Sequence, residues 1–323
     1  MSRSYAKSWL EVEETMGVRP VLRGNAEETR GQFDGLISML EPQYPAPSTT
    51  VRTEDGTIDA IKYRIFTPAA ANQGISLPLG VYYHPGGFVI GKSFTDDVLC
   101  RTIAEKTGSI VVSVEYRLAP EHKAPAQLED ALKALEWAYD NATQLGGDSK
   151  KIYTIGTSAG AGLALCVARK VALGQSQVSP DVIKGVVALA PYTLHNRYIP
   201  EAYRSTHQSY VENRDGVPMI DLASLDAFFD DASLDPKDED YFAALDQDHH
   251  KLLPPTYVAT CEIDPLRDDG KVLAESLKTS GVSVKTDHYD GLPHCFWVFP
   301  GLPESQRFME NTVNGVKWIL SKM

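Results

Sequence analysis

From Pro78 onward, short apolar runs alternate with longer stretches whose apolar residues recur at helical spacing. Residues 79–83, 110–114, 152–155, 183–190, 256–261 and 282–289 are apolar runs of strand length. Between and after them, residues 95–107, 126–145, 163–172, 269–279 and 303–322 carry apolar positions three and four apart. That rhythm predicts strands and helices in alternation, hence a mostly parallel central sheet with helices on both faces. Gly146-Gly147-Asp148 stops the helix predicted over 126–145. The first third reads differently. Residues 1–45 are amphipathic and helical with an interruption at 17–25, and a proline-rich run at 42–47 ends them. Residues 50–54 and 58–66 alternate apolar and polar, and Asp55-Gly56 between them predicts the turn of an antiparallel hairpin at a sheet edge.

One stretch breaks the rhythm. Residues 192–251 are rich in aromatics and acids (Tyr198, Tyr203, Tyr210, Phe228, Phe229, Asp230, Asp231), with short helical patterns only. An insertion of this length after a parallel strand is positioned to roof over a site at the sheet's C-terminal edge, or to serve as an embellishment or a dimer contact. The expectation is a single domain over 1–323, with a cap from about 1–45 and about 192–251.

Composition narrows the partners. A net charge of −12 and a pI near 5.1 argue against nucleic acid and anionic membrane, which need clustered Lys and Arg. The opening residues lack a signal-peptide apolar core, and no stretch approaches the ~18 apolar residues of a membrane span, so a cytoplasmic location is expected. Cys100, Cys166, Cys261 and Cys295 are scattered without C-x-x-C spacing, which predicts reduced, mostly buried thiols. No metal and no cofactor are expected: no H-x-x-x-H or H-E-x-x-H spacing occurs, and His249-His250 reads as a solvated turn.

The candidate chemistry begins where the run 152–155 breaks into Gly156-Thr157-Ser158-Ala159-Gly160. This fits G-x-S-x-G, a serine on a tight strand-to-helix turn whose neighbouring backbone leaves no room for Cβ atoms. Alone it is weak, since a chance match in a chain of this composition is about one in ten. A serine hydroxyl also needs a base, and the base an orienting carboxylate, in the chain order Ser, acid, His. His294 follows the last predicted strand, in Gly291-Leu292-Pro293-His294-Cys295-Phe296, and Asp264 follows the preceding one, in Asp264-Pro265-Leu266-Arg267-Asp268. Consecutive strand ends would bring this pair to the serine. His195, His207, His249, His250 and His288 read as ordinary surface. His84-Pro85-Gly86-Gly87-Phe88 follows the first parallel strand. Because Pro85 has no N–H, Gly86 and Gly87 are the candidate oxyanion donors, with Ala159 after the serine as a third.

With these residues located, the chain resembles the hormone-sensitive-lipase-like family of α/β-hydrolases, which includes carboxylesterases. The resemblance rests on His84 to Phe88, Glu115-Tyr116-Arg117-Leu118-Ala119-Pro120-Glu121, the elbow at Gly156 to Gly160, Asp264 to Asp268, and His294-Cys295-Phe296. It implies an α/β-hydrolase fold with a helical cap, Ser158 as nucleophile, His294 as general base and acid, and Asp264 as its orienter. It implies oxyanion donors at Gly86, Gly87 and Ala159, with His84, Arg117 and Glu121 supporting that loop and Arg117 paired to Glu121. Three positions depart from the family: Pro85 and Cys295 stand where glycine is common, and Thr157 where aspartate is common. The resemblance further implies pairing through a sheet edge as an available homodimer.

The expected activity is that of a serine carboxylesterase on a small-molecule ester, working through an acyl-enzyme. The same triad would serve an acyl-transfer or thioester-releasing enzyme, or one that cyclises a polyketide-like chain onto its own hydroxyl. A cyclase or lyase that does not use Ser158 is a further reading, as is a ligand-binding protein on the esterase fold, although His294 argues against the latter.

Overall fold

The computed structural model describes residues 3–69, 71 and 76–323. Two helices, α1 (Lys7–Met16) and α2 (Ala26–Leu40), precede a hairpin of β1 (Val51–Ile58) and β2 (Ile61–Pro68). The alternating region follows as β3 (Leu77–Tyr83), α3 (Asp97–Thr107), β4 (Ile110–Glu115), α4 (Ala126–Asp140), α5 (Ala142–Leu145), β5 (Gly147–Thr157), α6 (Ala159–Ala172) and β6 (Ile183–Leu189). After the insertion, with α7 (Ser209–Glu212) and α8 (Leu222–Ala232), come β7 (Thr256–Ile263), α9 (Arg267–Thr279), β8 (Val284–Pro293) and α10 (Pro303–Leu320). The strands form one sheet ordered β1-β2-β4-β3-β5-β6-β7-β8. The pairs β1–β2 and β2–β4 are antiparallel and every other pair is parallel. This is the α/β-hydrolase fold.

Each face of the sheet has its own core. Residues of α4, α6 and α9 pack with one set of strand side chains, including Val81, Val112, Ile152 and Val186. Residues of α3 and α10 pack with the opposite set, including Tyr82, Val111, Tyr153 and Val187. Neighbouring strand positions thus enter opposite cores, as the twofold strand period requires. Among the described residues, no helix is long and apolar enough to cross a membrane.

The hairpin turn lies elsewhere than the sequence suggests. Asp55 and Gly56 are inside β1, opposite Arg64 and Tyr63, and the tight turn is Asp59-Ala60, with Asp59 at φ 51°. The cross-strand partners explain this. Arg64 donates to the Asp55 carboxylate at 2.7 Å, and a Cβ at Gly56 would stand 2.3 Å from the Tyr63 hydroxyl oxygen. The glycine supplies room for a ring rather than a bend. The long helix expected over 126–145 is also broken. Asn141 turns its side-chain amide back onto the Trp137 carbonyl at 2.8 Å, an acceptor that its own N–H also uses, and such local bonding competes with helix continuation.

The N-terminal segment and the insertion are knitted together. Val21 bridges Met219, Leu22 N–H donates to Met219 O at 2.9 Å, and the Ser224 hydroxyl donates to Leu22 O at 2.6 Å. Two adjacent carboxylates at the start of α9 hold the insertion to the sheet. Asp268 accepts from the backbone N–H groups of Gln208 and Ser209. Asp269 accepts from those of Thr193 and Leu194, from the Tyr210 hydroxyl, and from His207 Nε2 at 2.8 Å. Burial pushes the Asp269 carboxyl upward, and these donors oppose that shift.

Three of the histidines read as surface are buried: His195, His207 and His250. Each has a partner remote in sequence. His195 packs on Phe229 and Phe242, His207 meets Asp269, and His250 bridges Ala243 O and the Ser276 hydroxyl. The solvated turn expected at His249-His250 is therefore half right, because His249 is exposed and pairs with Asp246.

Candidate active site

Strand register gathers the candidate residues. Ile263 pairs with Pro293, so Asp264 and His294 are the next residues on two adjacent strands. Thr157, paired with Leu189, ends β5, and Ser158 follows it. Tyr83 pairs with Gly156, so the loop beginning at His84 leaves β3 beside the elbow.

Ser158 is at φ 55°, ψ −120°, outside the basins open to an L-residue, a strain of about 1–3 kcal/mol that surrounding structure must hold. Ser158 N–H donates to Leu189 O at 2.8 Å, and the first turn of α6 bonds back to Ser158 O. The flanking glycines are required by close approach. A Cβ at Gly156 would lie 2.1 Å from Gly160 O, and one at Gly160 would lie 2.0 Å from Tyr83 O.

His294 Nε2 is 2.9 Å from Ser158 Oγ, and His294 Nδ1 donates to Asp264 Oδ2 at 2.7 Å. The other Asp264 oxygen accepts from Leu266 N–H at 2.8 Å. All three residues are buried, with Asp264 fully so. With Nδ1–H committed to the carboxylate, Nε2 is left able to accept the serine proton, which is the geometry of an activated nucleophile.

The second ingredient is a donor set. Gly86, Gly87 and Phe88 take successive positive φ values of 121°, 60° and 68°, a backbone that turns consecutive N–H groups toward one side. Gly86, Gly87 and Ala159 line the same chamber as Ser158 and His294. Among the described residues, none of these three N–H groups donates to a protein acceptor. Donors so arranged can take the charge of a tetrahedral oxyanion.

His84 lies behind this loop, stacked on Tyr116 with ring centroids 4.1 Å apart, and its Nδ1 donates to Pro85 O at 2.8 Å. Burial lowers its pKa to about 4, so the ring is neutral at pH 7. The Tyr116 hydroxyl donates to His84 O at 2.7 Å.

The expected pairing of Arg117 with Glu121 does not occur. Arg117 turns to α4, where its guanidinium and backbone N–H both donate to Asp130, a buried carboxylate in need of a cation. Glu121 instead receives both terminal nitrogens of Arg30 on α2, which holds its carboxyl down to about 2. Arg30 also donates to Val89 O and Ala119 O, at 2.9 and 2.7 Å, so it braces the candidate oxyanion loop where Arg117 was expected to. A double-mutant cycle by urea denaturation should find Arg30→Ala and Glu121→Ala coupled by about 0.5 kcal/mol, a modest value because both side chains are partly solvated. Arg117→Ala and Glu121→Ala should be additive.

The three departures from the family pattern have visible surroundings. Pro85 contributes only its carbonyl, to His84. Thr157 Oγ1 lies 2.9 Å from the Tyr82 hydroxyl. Cys295 sits at φ 52°, a conformation that glycine takes more readily, and its thiol lines the chamber. Burial pushes the pKa of that thiol far up, which disfavours its thiolate form. All four cysteines are free and buried.

Sequence reasoning missed the supports that come from afar. Asn213 of the insertion donates to the carbonyls of Glu262 and Asp264, each at 3.0 Å, and so holds the strand end that carries the candidate acid. A lone Asn in a polar segment gives no signal of this.

Residues 80–298 match the family described as alpha/beta hydrolase fold. The chain belongs to the hormone-sensitive-lipase-like carboxylesterases of that fold. It is 46% identical over 323 residues to a versiconal hemiacetal acetate esterase of Dothistroma septosporum, covering 100% of this chain and 97% of the relative. Among solved structures it is similar to vibralactone cyclase, with TM-score 0.87 and 29% identity over 99% of this chain and 96% of that one. A hyperthermophilic esterase from the archaeon Pyrobaculum calidifontis gives TM-score 0.83 and 30% identity, covering 98% of each chain. The protein is an enzyme, an esterase-like α/β-hydrolase.

Proposed function

We propose that this esterase hydrolyses a carboxylic ester through an acyl group carried on Ser158. The observation that carries the reading is the unbroken hydrogen-bonded line from Asp264 through His294 to Ser158, beside three N–H groups that no acceptor among the described residues uses. Ser158 Oγ attacks the ester carbonyl as its proton passes to His294 Nε2, and Asp264 steadies the imidazolium. The oxyanion is taken by the N–H groups of Gly86, Gly87 and Ala159. Collapse of that intermediate breaks the ester C–O bond, and His294 returns the proton to the leaving alcohol. Water then attacks the acyl-serine, giving up a proton to Nε2, and the acid departs as Ser158 regains its hydrogen.

The acyl group is small. The chamber around the triad has a volume of only about 50 Å³ and is walled by Phe88, Tyr192, Ile220, Leu225, Phe228 and Leu266. The relative at 46% identity is named for an acetate ester, which supports the same assignment. The cap is formed by the N-terminal helices and the insertion, both of which contribute to this chamber through Leu22, Phe33, Phe228 and Phe229. A fluorophosphonate probe should label the wild-type chain once, at Ser158, and leave Ser158→Ala unlabelled. Label on another residue would remove the assignment.

A second reading keeps Ser158 and replaces water by an alcohol, including a hydroxyl of the substrate itself. The likeness to vibralactone cyclase favours it. Product analysis in isotopically labelled water separates the two, since only hydrolysis incorporates the label into the acid.

A further inference from the structure

One buried carboxyl beside the triad has no part in the steps above. Asp96 precedes α3 at its N-cap position, yet its side chain makes no bond to the helix N–H groups. It accepts instead from the Tyr82 hydroxyl, with the Thr157 hydroxyl beside it, and no cation among the described residues pairs with it. Its neighbours differ from those of Asp264, which has an imidazole and a backbone N–H. A carboxylate has room for about four hydrogen bonds, so two hydroxyls leave capacity unused. Burial raises its pKa to about 6, the expected response of a carboxyl largely shielded from water and without a cation.

Asp96 lines the triad chamber, and it also lines a larger cleft of about 870 Å³ on the outer side. The two cavities share Phe33, Thr95, Asp96 and Val298, so these residues stand between them. Of the four, Asp96 alone carries an ionisable group. The cleft beyond is walled by the rings of Phe33, Tyr44, Phe94 and Trp297, together with the charged side chains Asp34, Glu41, Arg64, Lys92 and Asp97. Flat rings of this kind bind a flat apolar body by face and edge contact. An ester with its small acyl half in the chamber and its other half in the cleft passes Asp96.

We infer that Asp96 is a specificity-determining residue that accepts a hydrogen bond from a hydroxyl on the alcohol half of the ester, and that this half is a hydroxylated aromatic ring system lying in the outer cleft. The inference rests on the proposed ester reading for the orientation of the substrate. A hydroxyl completes the carboxyl's bonding without bringing an anion beside it. A ring lacking that hydroxyl, or carrying it as a methyl ether, loses the bond and leaves the carboxyl desolvated. Hydrogen bonds to a charged acceptor are worth roughly 1.5–3 kcal/mol, about tenfold to hundredfold in affinity.

The test needs binding rather than turnover. Monoacetates of a set of dihydroxynaphthalenes and their matched methyl ethers are titrated by calorimetry into the Ser158→Ala protein. At least one free-hydroxyl isomer should bind about tenfold or more tightly than its ether. Adding Asp96→Ala should bring that ratio below about twofold, and Asp96→Asn, which keeps the shape and one acceptor oxygen, should lower it by about threefold or more. Should the alanine variant fail to fold, the asparagine variant decides alone. A ratio near one throughout the set, a ratio unchanged by both substitutions, or equal losses for hydroxyl and ether would each overturn the inference. Failure of the ester reading would look different. The fluorophosphonate would not label Ser158, while the binding ratio and its dependence on Asp96 would persist.

Discussion

His294→Ala should lower kcat for an acetate ester by about 10⁴–10⁶-fold while the chain stays folded. Among the described residues the imidazole is the only base within hydrogen-bond reach of Ser158 Oγ, at 2.9 Å, and it is also the acid that must protonate the leaving alcohol. Removing it disables both halves of the cycle. Because the members of a triad act as a unit, Ser158→Ala should cost a similar amount, and the double variant little more than either alone. Asp264→Asn should cost about 10⁴-fold, since an amide facing His294 Nδ1 favours the tautomer that places the proton on Nε2. Steady-state kinetics with a chromogenic acetate provides the numbers. A drop below tenfold for His294→Ala would exclude the assigned role.

The second large effect falls on the oxyanion loop. Gly86→Ala should reduce kcat by about 10²–10³-fold, the scale of losing one oxyanion donor. Gly86 is at φ 121°, and an added Cβ would stand 2.1 Å from Ile90 O. Backbone rather than a flexible side chain blocks it, so the loop itself must move and take the Gly86 and Gly87 N–H groups with it. Gly87→Ala meets a softer obstacle, the Phe228 ring at 2.3 Å. A ring on the cap can shift, although φ at 60° remains strained for alanine. The loss in kcat should therefore be larger for Gly86→Ala, and KM should change more for Gly87→Ala. Equal, small effects from both would mean that this loop supplies no transition-state donor.

The candidate site was legible because its residues sit at strand ends, and strand ends can be read from apolar runs. Asp264 and His294 are 30 residues apart in the chain, and the Ile263–Pro293 pairing makes them neighbours. The apolar run alone stops near Tyr289. The strand continues to Pro293, since pairing with β7 rather than side-chain pattern sets its end. The supports were not legible because their partners are remote. Arg30 reads as one more charge on an amphipathic helix, and only the folded chain reveals that it serves Glu121, Val89 O and Ala119 O together. Arg117 turns to two carboxylates on α4, the exposed Glu129 and the buried Asp130. His207 reads as a surface histidine until α9 delivers Asp269 to it across 62 positions. The hairpin erred for the opposite reason. Asp55-Gly56 is a strong local turn signal, and cross-strand contacts with Arg64 and Tyr63 override it.

The central claim is that the substrate's acyl group spends part of each turnover bonded to Ser158 Oγ. Rapid acid quench of the enzyme with an excess of an activated acetate, followed by intact-mass and peptide analysis, addresses it directly. The account predicts one acetyl group per chain on the peptide that contains Ser158, formed within the first turnover, decaying once substrate is consumed, and absent from Ser158→Ala. Full turnover by Ser158→Ala, or an acetyl group that forms on a different residue at the catalytic rate, would contradict it.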